Sequence, residues 1–230
     1  MYSFERHSQL NAETFWRCDY PLFEHSPAGD SINAATLKEI IDRTPSFEKK
    51  SAAKTIADAA TAFIREAEEV QRDEKEIILP WESSISGQVL LDQPGIVTVS
   101  IQSYTFTGGA HGMSVTNNMV FDTLTGKQFT LDDLFVPGFG VRLDHLIDRR
   151  FRQMHGLKPD EPLTGDKGGL FENRIVHNNN FAVTGSGIRF LYNQYEIAPY
   201  AVGDIEIDLA FDDLRDILKN LESIQTLLHE

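Results

Sequence analysis

Apolar positions repeat with two different periods along this chain, and the places where the period changes outline its elements. Trp16, Cys18 and Tyr20 alternate with Arg17 and Asp19, a period of two that predicts a half-buried strand ending at Pro21. After Gly29 and Asp30 the spacing becomes helical. Ser31 or Asn33 is the expected cap, Leu37, Ile40, Ile41 and Thr44 share a face, and Pro45 interrupts or kinks the helix. From Phe47 to about Val70 a second helix is predicted, because Ile56, Ala60, Phe63, Ala67 and Val70 recur at steps of four and three. Its polar back, with Glu66, Glu68, Glu69, Arg72 and Asp73, reads as a solvated surface.

Beyond Glu76 the period returns to two. Ile85, Gly87, Val89 and Leu91 alternate up to the turn residues Asp92, Pro94 and Gly95; Val97, Val99 and Ile101 continue the hairpin. Met113, Val115, Asn117, Met119 and Phe121 supply a third antiparallel strand, joined to the second by the loop Gly108-Gly109-Ala110-His111-Gly112. Thr130-Leu131-Asp132-Asp133 predicts a short capped helical turn, and Leu143, Leu146, Ile147, Phe151 and Met154 a longer helix. The Gly- and Pro-bearing stretch from Gly156 to Gly169 reads as a mobile excursion. Phe181 and Val183, the turn Gly185-Ser186-Gly187, then Ile188, Phe190 and Tyr192 form a hairpin, and Ile205, Ile207 and Leu209 one more strand of the same sheet. A closing helix carries Leu214, Ile217, Leu218 and Leu221. The fold class expected is α+β, a mainly antiparallel sheet with helices packed on one face.

Composition narrows the function classes. The 230 residues are 41% hydrophobic, enough for a folded core, and no apolar run approaches the length needed to cross a bilayer, so membrane insertion is not expected. Thirty-five acidic against 21 basic residues give a formal charge of −14, which repels nucleic acid and anionic lipid and favours a cationic partner, if it does more than keep the surface soluble. A single cysteine, Cys18, leaves the redox compartment unread. The start Met1-Tyr2-Ser3-Phe4-Glu5-Arg6 lacks the pattern of a secretory signal, and Arg17 argues against lipid attachment at Cys18. The chain is therefore expected to be cytoplasmic, or to lack an export segment that once preceded it.

Two runs carry candidate chemistry. The small residues around His111 let the backbone turn sharply or approach another surface, but the loop lacks the Lys-Ser/Thr ending of a phosphate loop and does not fit GxGxxG. A hairpin tip with a hydrogen-bonded histidine explains it equally well. The run Tyr192 to Gly203 sets Glu196 between tyrosines on a proline-stiffened turn, a composition suited either to recognition or to packing at a sheet edge. Gly108, Gly109, His111, Gly112, Tyr195, Glu196, Pro199 and Tyr200 are accordingly the candidate binding residues. No His-Glu-x-x-His, Cys-x-x-Cys or Gly-x-Ser-x-Gly pattern occurs, so no metal site and no cofactor is expected, and the balance favours binding over catalysis.

Tyr104-Thr105-Phe106-Thr107-Gly108-Gly109-Ala110-His111-Gly112, Phe121-Asp122, Thr125-Gly126-Lys127, Leu131-Asp132-Asp133-Leu134-Phe135 and Tyr195-Glu196-Ile197-Ala198-Pro199-Tyr200-Ala201 with Gly203 occur in that order. Together they resemble the C-terminal domain of the RsiV family. The segment from about Phe15 to Val70, with Tyr20-Pro21 and Ile32-Asn33, resembles the smaller module that precedes this domain in PdaC-type peptidoglycan deacetylases. The resemblance divides the chain into an N-terminal module, residues 1–76, and a C-terminal domain, residues 77–230. RsiV proteins are membrane-bound anti-sigma factors whose extracytoplasmic domain binds lysozyme, so the resemblance implies a cell-envelope location and a protein or peptidoglycan-related ligand. The catalytic domain of the deacetylases, with its His-x-x-x-His, has no counterpart here, and Asp212-Asp213 is followed by Leu214 rather than glycine.

Three functions are thus expected in descending order. The first is an extracytoplasmic binding or sensor domain for a cationic protein such as lysozyme, or for a peptidoglycan fragment. The second is a cell-wall glycan or peptide hydrolase with His111 and Glu196 as acid and base. The third is a structural or assembly domain without a ligand.

Overall fold

The computed structural model describes residues 1–46, 53–73 and 79–227. Among the described residues, eight strands form two sheets. The first is five-stranded, in the order β1 (Tyr2–His7), β2 (Phe15–Tyr20), β3 (Glu82–Gln93), β4 (Ile96–Phe106) and β5 (Met113–Phe121). The second is three-stranded and antiparallel, in the order β6 (Phe181–Val183), β7 (Gly187–Tyr192) and β8 (Ile205–Ala210). Helices α1 (Pro27–Arg43), α2 (Ile56–Asp73), α3 (Leu131–Leu134), α4 (Gly140–His155), α5 (Phe211–Leu214) and α6 (Glu222–Leu227) complete an α+β architecture. The late strands therefore build a sheet of their own instead of extending the first.

The chain divides into two compact units, Met1–Gln88 with Ile101–Thr116, and Val89–Ser100 with Asn117–Glu230. In the first unit β2 is the spine. It pairs antiparallel with β1, with Arg6 opposite Trp16, and parallel with β3, with Trp16 opposite Ser83. Its inward residues Trp16, Cys18 and Tyr20 are buried as the alternation predicts, each large side chain contributing roughly 1.5–3 kcal/mol by leaving water. Burial pushes the Cys18 thiol up to about 12. The strand β1 is not signalled by the sequence, because an edge strand with alternating half-buried and exposed residues carries too little apolar contrast.

Helix α1 begins earlier than expected. Ser26, not Ser31 or Asn33, is the cap: its hydroxyl accepts from the Gly29 N–H and Pro27 occupies the first turn, where no donor is needed. Asn33 instead clamps the preceding chain, accepting from the Phe23 N–H and donating to the Phe23 carbonyl. Ile32, Thr36 and Ile40 form the buried stripe. Helix α2 packs against β1 and β2 through Ile56, Ala60, Phe63 and Ala67, while Val70 is exposed. The residues from Phe47 to Ala52, where this helix was expected to begin, lie outside the described residues.

The polar back of α2 is not wholly solvated. Glu66 is 6% exposed and accepts from the Ser46 hydroxyl, and Glu68 accepts from the Ser8 hydroxyl and the Gln9 N–H. These bonds, Ser8 first, hold the Glu68 carboxyl below its usual range. Partners supplied from 20 and 60 residues away turned an apparent surface face into a buried polar contact, a tertiary effect that local periodicity does not report.

In the second unit one core gathers Leu143, Leu146, Ile147 and Phe151 of α4 with Phe181, Ile188, Phe190, Ile207 and Leu209 of the small sheet. Met154, at the end of the α4 stripe, is exposed. Asp133 receives both the backbone N–H and the hydroxyl of Thr130, which starts α3 where the sequence placed it. The excursion from Gly156 to Gly169 is tied down rather than free: Arg152 donates to the Lys158 and Glu161 carbonyls, Leu163 is fully buried, and Leu170 bonds back to Leu163. The closing helix is broken, since α5 ends at Leu214, Leu218 bridges to Phe135, and α6 starts only at Glu222.

Candidate functional site

The loop 107–112 joins β4 to β5 within the first unit. Gly108 and Gly109 hold φ of +93° and +98°, which L side chains avoid, and nothing lies within 4 Å of where a Cβ would stand on either. Gly112 is needed for a different reason: a Cβ there would come within 2.4 Å of the Tyr104 ring. His111 is exposed, and its Nδ1 donates to the Gly112 carbonyl at 2.9 Å. The four residues thus make a tight, glycine-dependent hairpin tip that presents an imidazole.

Tyr195, Glu196, Pro199 and Tyr200 lie in the second unit, on the segment from β7 to β8. Tyr192 closes β7, buried, its hydroxyl donating to the Val176 carbonyl at 2.7 Å, and burial raises that phenol above its ordinary range. The chain then turns through Tyr195 at φ +65°, the one positive φ on a non-glycine among the described residues. Such a conformation is unfavourable by about 1–2 kcal/mol for a side chain with a Cβ, so neighbouring bonds must enforce it. Glu196 supplies them. Its Oε2 accepts from the Asn193 N–H at 2.9 Å and its Oε1 from the Asn178 side-chain amide at 2.8 Å. Asp204 accepts from the Gln194 N–H at 3.0 Å and fixes the turn from the other side.

The result is a rigid aromatic display. The Tyr195 ring, 49% exposed, sits 5.7 Å from that of Tyr200 at 35°, a tilted pair. Pro199, exposed, sets the entry to a single 3-10 turn, Tyr200–Val202. Ile197 accepts from the Phe171 N–H, which brings the 54% exposed Phe171 onto the segment, and Val202 is exposed as well. Sequence inspection named the tyrosines but not Asn178, Asp204 or Phe171. Asn178 and Asp204 act on the run from outside it, and the only signal for them is the general aptitude of Asn and Asp to bond turns.

Among the described residues no group of three or more His, Cys, Asp or Glu side chains is placed to hold a metal ion, and no helix is long and apolar enough to cross a membrane.

Comparison with known proteins places these features. Residues 10–114 match the family model described as deacetylase PdaC, and residues 132–212 the model described as a protein of unknown function, DUF3298. The peptidoglycan-N-acetylmuramic acid deacetylase PdaC of Bacillus subtilis is 26% identical over 126 residues, which are 54% of this chain but only 26% of that protein, so the chain spans about a quarter of its length. A crystal structure of a DUF3298 family member from Bacteroides fragilis superposes with a TM-score of 0.73 at 20% identity, covering 100% of this chain and 95% of the other. One from Pseudomonas aeruginosa PAO1 gives 0.68 at 24% identity, covering 95% and 93%. At these identities the two structures establish the shared fold. The chain therefore carries a PdaC deacetylase-type domain over residues 10–114, followed by a DUF3298 domain over residues 132–212.

Proposed function

We propose that this chain is a cell-wall-related, extracytoplasmic binding domain whose Tyr195–Tyr200 surface recognises a cationic protein of the lysozyme type. The observation that carries this reading is the conformation of Tyr195, a strained backbone held by Glu196 and Asp204 so that an aromatic ring stands half exposed beside Tyr200. Strain enforced at a surface residue calls for a role beyond packing. Rigid, solvent-facing tyrosines are the side chains that anchor protein interfaces. A net charge of −14 favours a basic partner. The PdaC-type domain, and the resemblance of the glycine loop and tyrosine run to the RsiV family, support the cell-wall setting.

The hydrolase reading has less support. It needs Glu196 to exchange a proton with substrate, whereas both of its oxygens already accept bonds that hold the turn.

Calorimetric titration of the chain with lysozyme tests the proposal. Binding should weaken as salt rises, and Tyr195→Ala or Tyr200→Ala should weaken it by about 30-fold, the loss typical of a central anchor. Absence of heat with lysozyme, or no effect of either substitution, would remove the assignment. Heat only with soluble peptidoglycan fragments would replace the protein ligand by a glycan.

A further inference from the structure

Away from both runs, the second unit contains a cavity of about 300 Å³ between the C-terminal half of α4, the β6–β7 turn and the end of β8. That volume is at the lower end of the range of small-molecule sites. Its base is apolar, formed by the buried Ile188 and Leu209. Its rim is polar: Arg150 and Gln153 come from α4, Ser186 from the turn and Asp213 from α5, whereas Asp208 borders the cavity with its carboxylate on the outward face of β8 beside Arg189.

The charges of this rim are unequal in an informative way. Asp213 is already held by Arg149 at 2.6 Å. On α4, Arg142, Arg149 and Arg152 each have a carboxylate partner. Arg150 has none among the described residues, although the chain has 35 acidic side chains against 21 basic ones. Gln153 stands one turn further along α4 and lines the same cavity. Its side-chain amide and the Ser186 hydroxyl are likewise without a partner among the described residues. Three uncommitted donor groups therefore line the cavity, beside a carboxylate already paired with an arginine.

We infer that this cavity binds a small carboxylate, with Arg150 as its anchor. A guanidinium fork matches the two oxygens of a carboxylate, and Gln153 and Ser186 add neutral donors beside it. Asp213, although paired with Arg149, keeps lone pairs that can accept from an amide N–H or a hydroxyl next to the carboxylate. The ligand class is accordingly a monocarboxylate with an adjacent hydrogen-bond donor. A peptide C-terminus and an acidic sugar both have that chemistry. The inference uses none of the residues of the tyrosine surface and stands or falls separately from it.

The test is a nuclear magnetic resonance titration of the full chain with three probes: N-acetyl-alanyl-alanine, its C-terminal amide, and glucuronate. At least one of the two acids should shift the backbone amides of Ser186 and Gly187, and which acid does so identifies the source of the carboxylate. The peptide amide should bind at least about tenfold more weakly than the peptide acid if the latter binds, as should the binding acid to Arg150→Ala, the loss expected for a bond to a charged group. Arg150→Lys should fall between, keeping the charge and losing the fork. Arg150 is exposed, so its variants retain the fold, and an unchanged spectrum away from the cavity verifies this. No shift with either acid at millimolar concentration, equal binding of the peptide acid and its amide, or undiminished binding to Arg150→Ala would overturn the site.

Discussion

At the scale of single residues, the carboxylate of the tyrosine run does different work from the ring it positions. Tyr195 supplies a half-exposed ring, and Glu196 holds the backbone that presents it. The two roles separate by substitution. Tyr195→Gly removes the ring but suits φ +65°; relief of left-handed strain offsets the greater chain entropy of glycine, and stability should stay within about 1 kcal/mol of the parent. Glu196→Ala leaves the ring but removes two bonds to the turn, and should lower stability by about 1–2 kcal/mol. Urea unfolding followed by circular dichroism measures both. If Glu196→Ala unfolds at the parent's midpoint, the carboxylate is not what keeps Tyr195 in place.

At the scale of elements, the four-residue helix α3 depends on one carboxylate. The Lys127 ammonium first, and the Thr130 N–H second, hold Asp133 down at about 2 against an ordinary 3.8. A depressed carboxylate stabilises the fold above its unfolded value and loses that contribution as pH falls through its folded one. Stability should therefore decline between about pH 4 and pH 2 in the parent, and Asp133→Asn should flatten that decline. The variant should also lose about 1–2 kcal/mol at neutral pH, less than the full shift implies because Lys127 is 61% exposed. Thermal melts across that range decide the matter, and an unchanged pH profile in Asp133→Asn would place the acid sensitivity elsewhere.

Which elements the sequence foretells follows from the same physics. β8, with Ile205, Ile207 and Leu209 inward and Glu206 and Asp208 outward, has one wet and one dry face, and its period is plain. β4 is buried on both faces from Ile96 to Ser100, but its flanking turns still mark it. β1 at the sheet edge and the burial of Glu66 escape, because each is decided by partners elsewhere in the chain, whereas the Ser26 cap is a local bond to Gly29 that competed with Ser31 and Asn33 as equally suitable cap residues. Of the candidate site, the irregular backbone around Tyr195 could be anticipated from its composition. The bonds from Asn178 and Asp204 that enforce it, and the gathering of Arg150, Gln153 and Ser186 around one cavity, arise only on folding.

At the scale of the whole molecule, the chain combines a PdaC-type domain with a DUF3298 domain and shares its fold with relatives whose sequences agree at only 20% and 24%. What such distant chains must keep in common is topology, and one detail of it bears on how the protein assembles. β3, β4 and β5 are joined by short turns and can zip together locally, whereas β2 pairs parallel with β3 across a crossover that contains α1 and α2. Closing so long a loop before its contacts form is slow. Both tryptophans stand at that seam, Trp16 within β2 and Trp81 just before β3, where its carbonyl accepts from the Phe15 N–H. In stopped-flow refolding, tryptophan fluorescence should therefore recover after most of the far-ultraviolet circular dichroism; simultaneous recovery would mean that the crossover closes as early as the hairpins. The parallel seam thus gives the chain a built-in clock, in which its own indoles report the last strand to arrive.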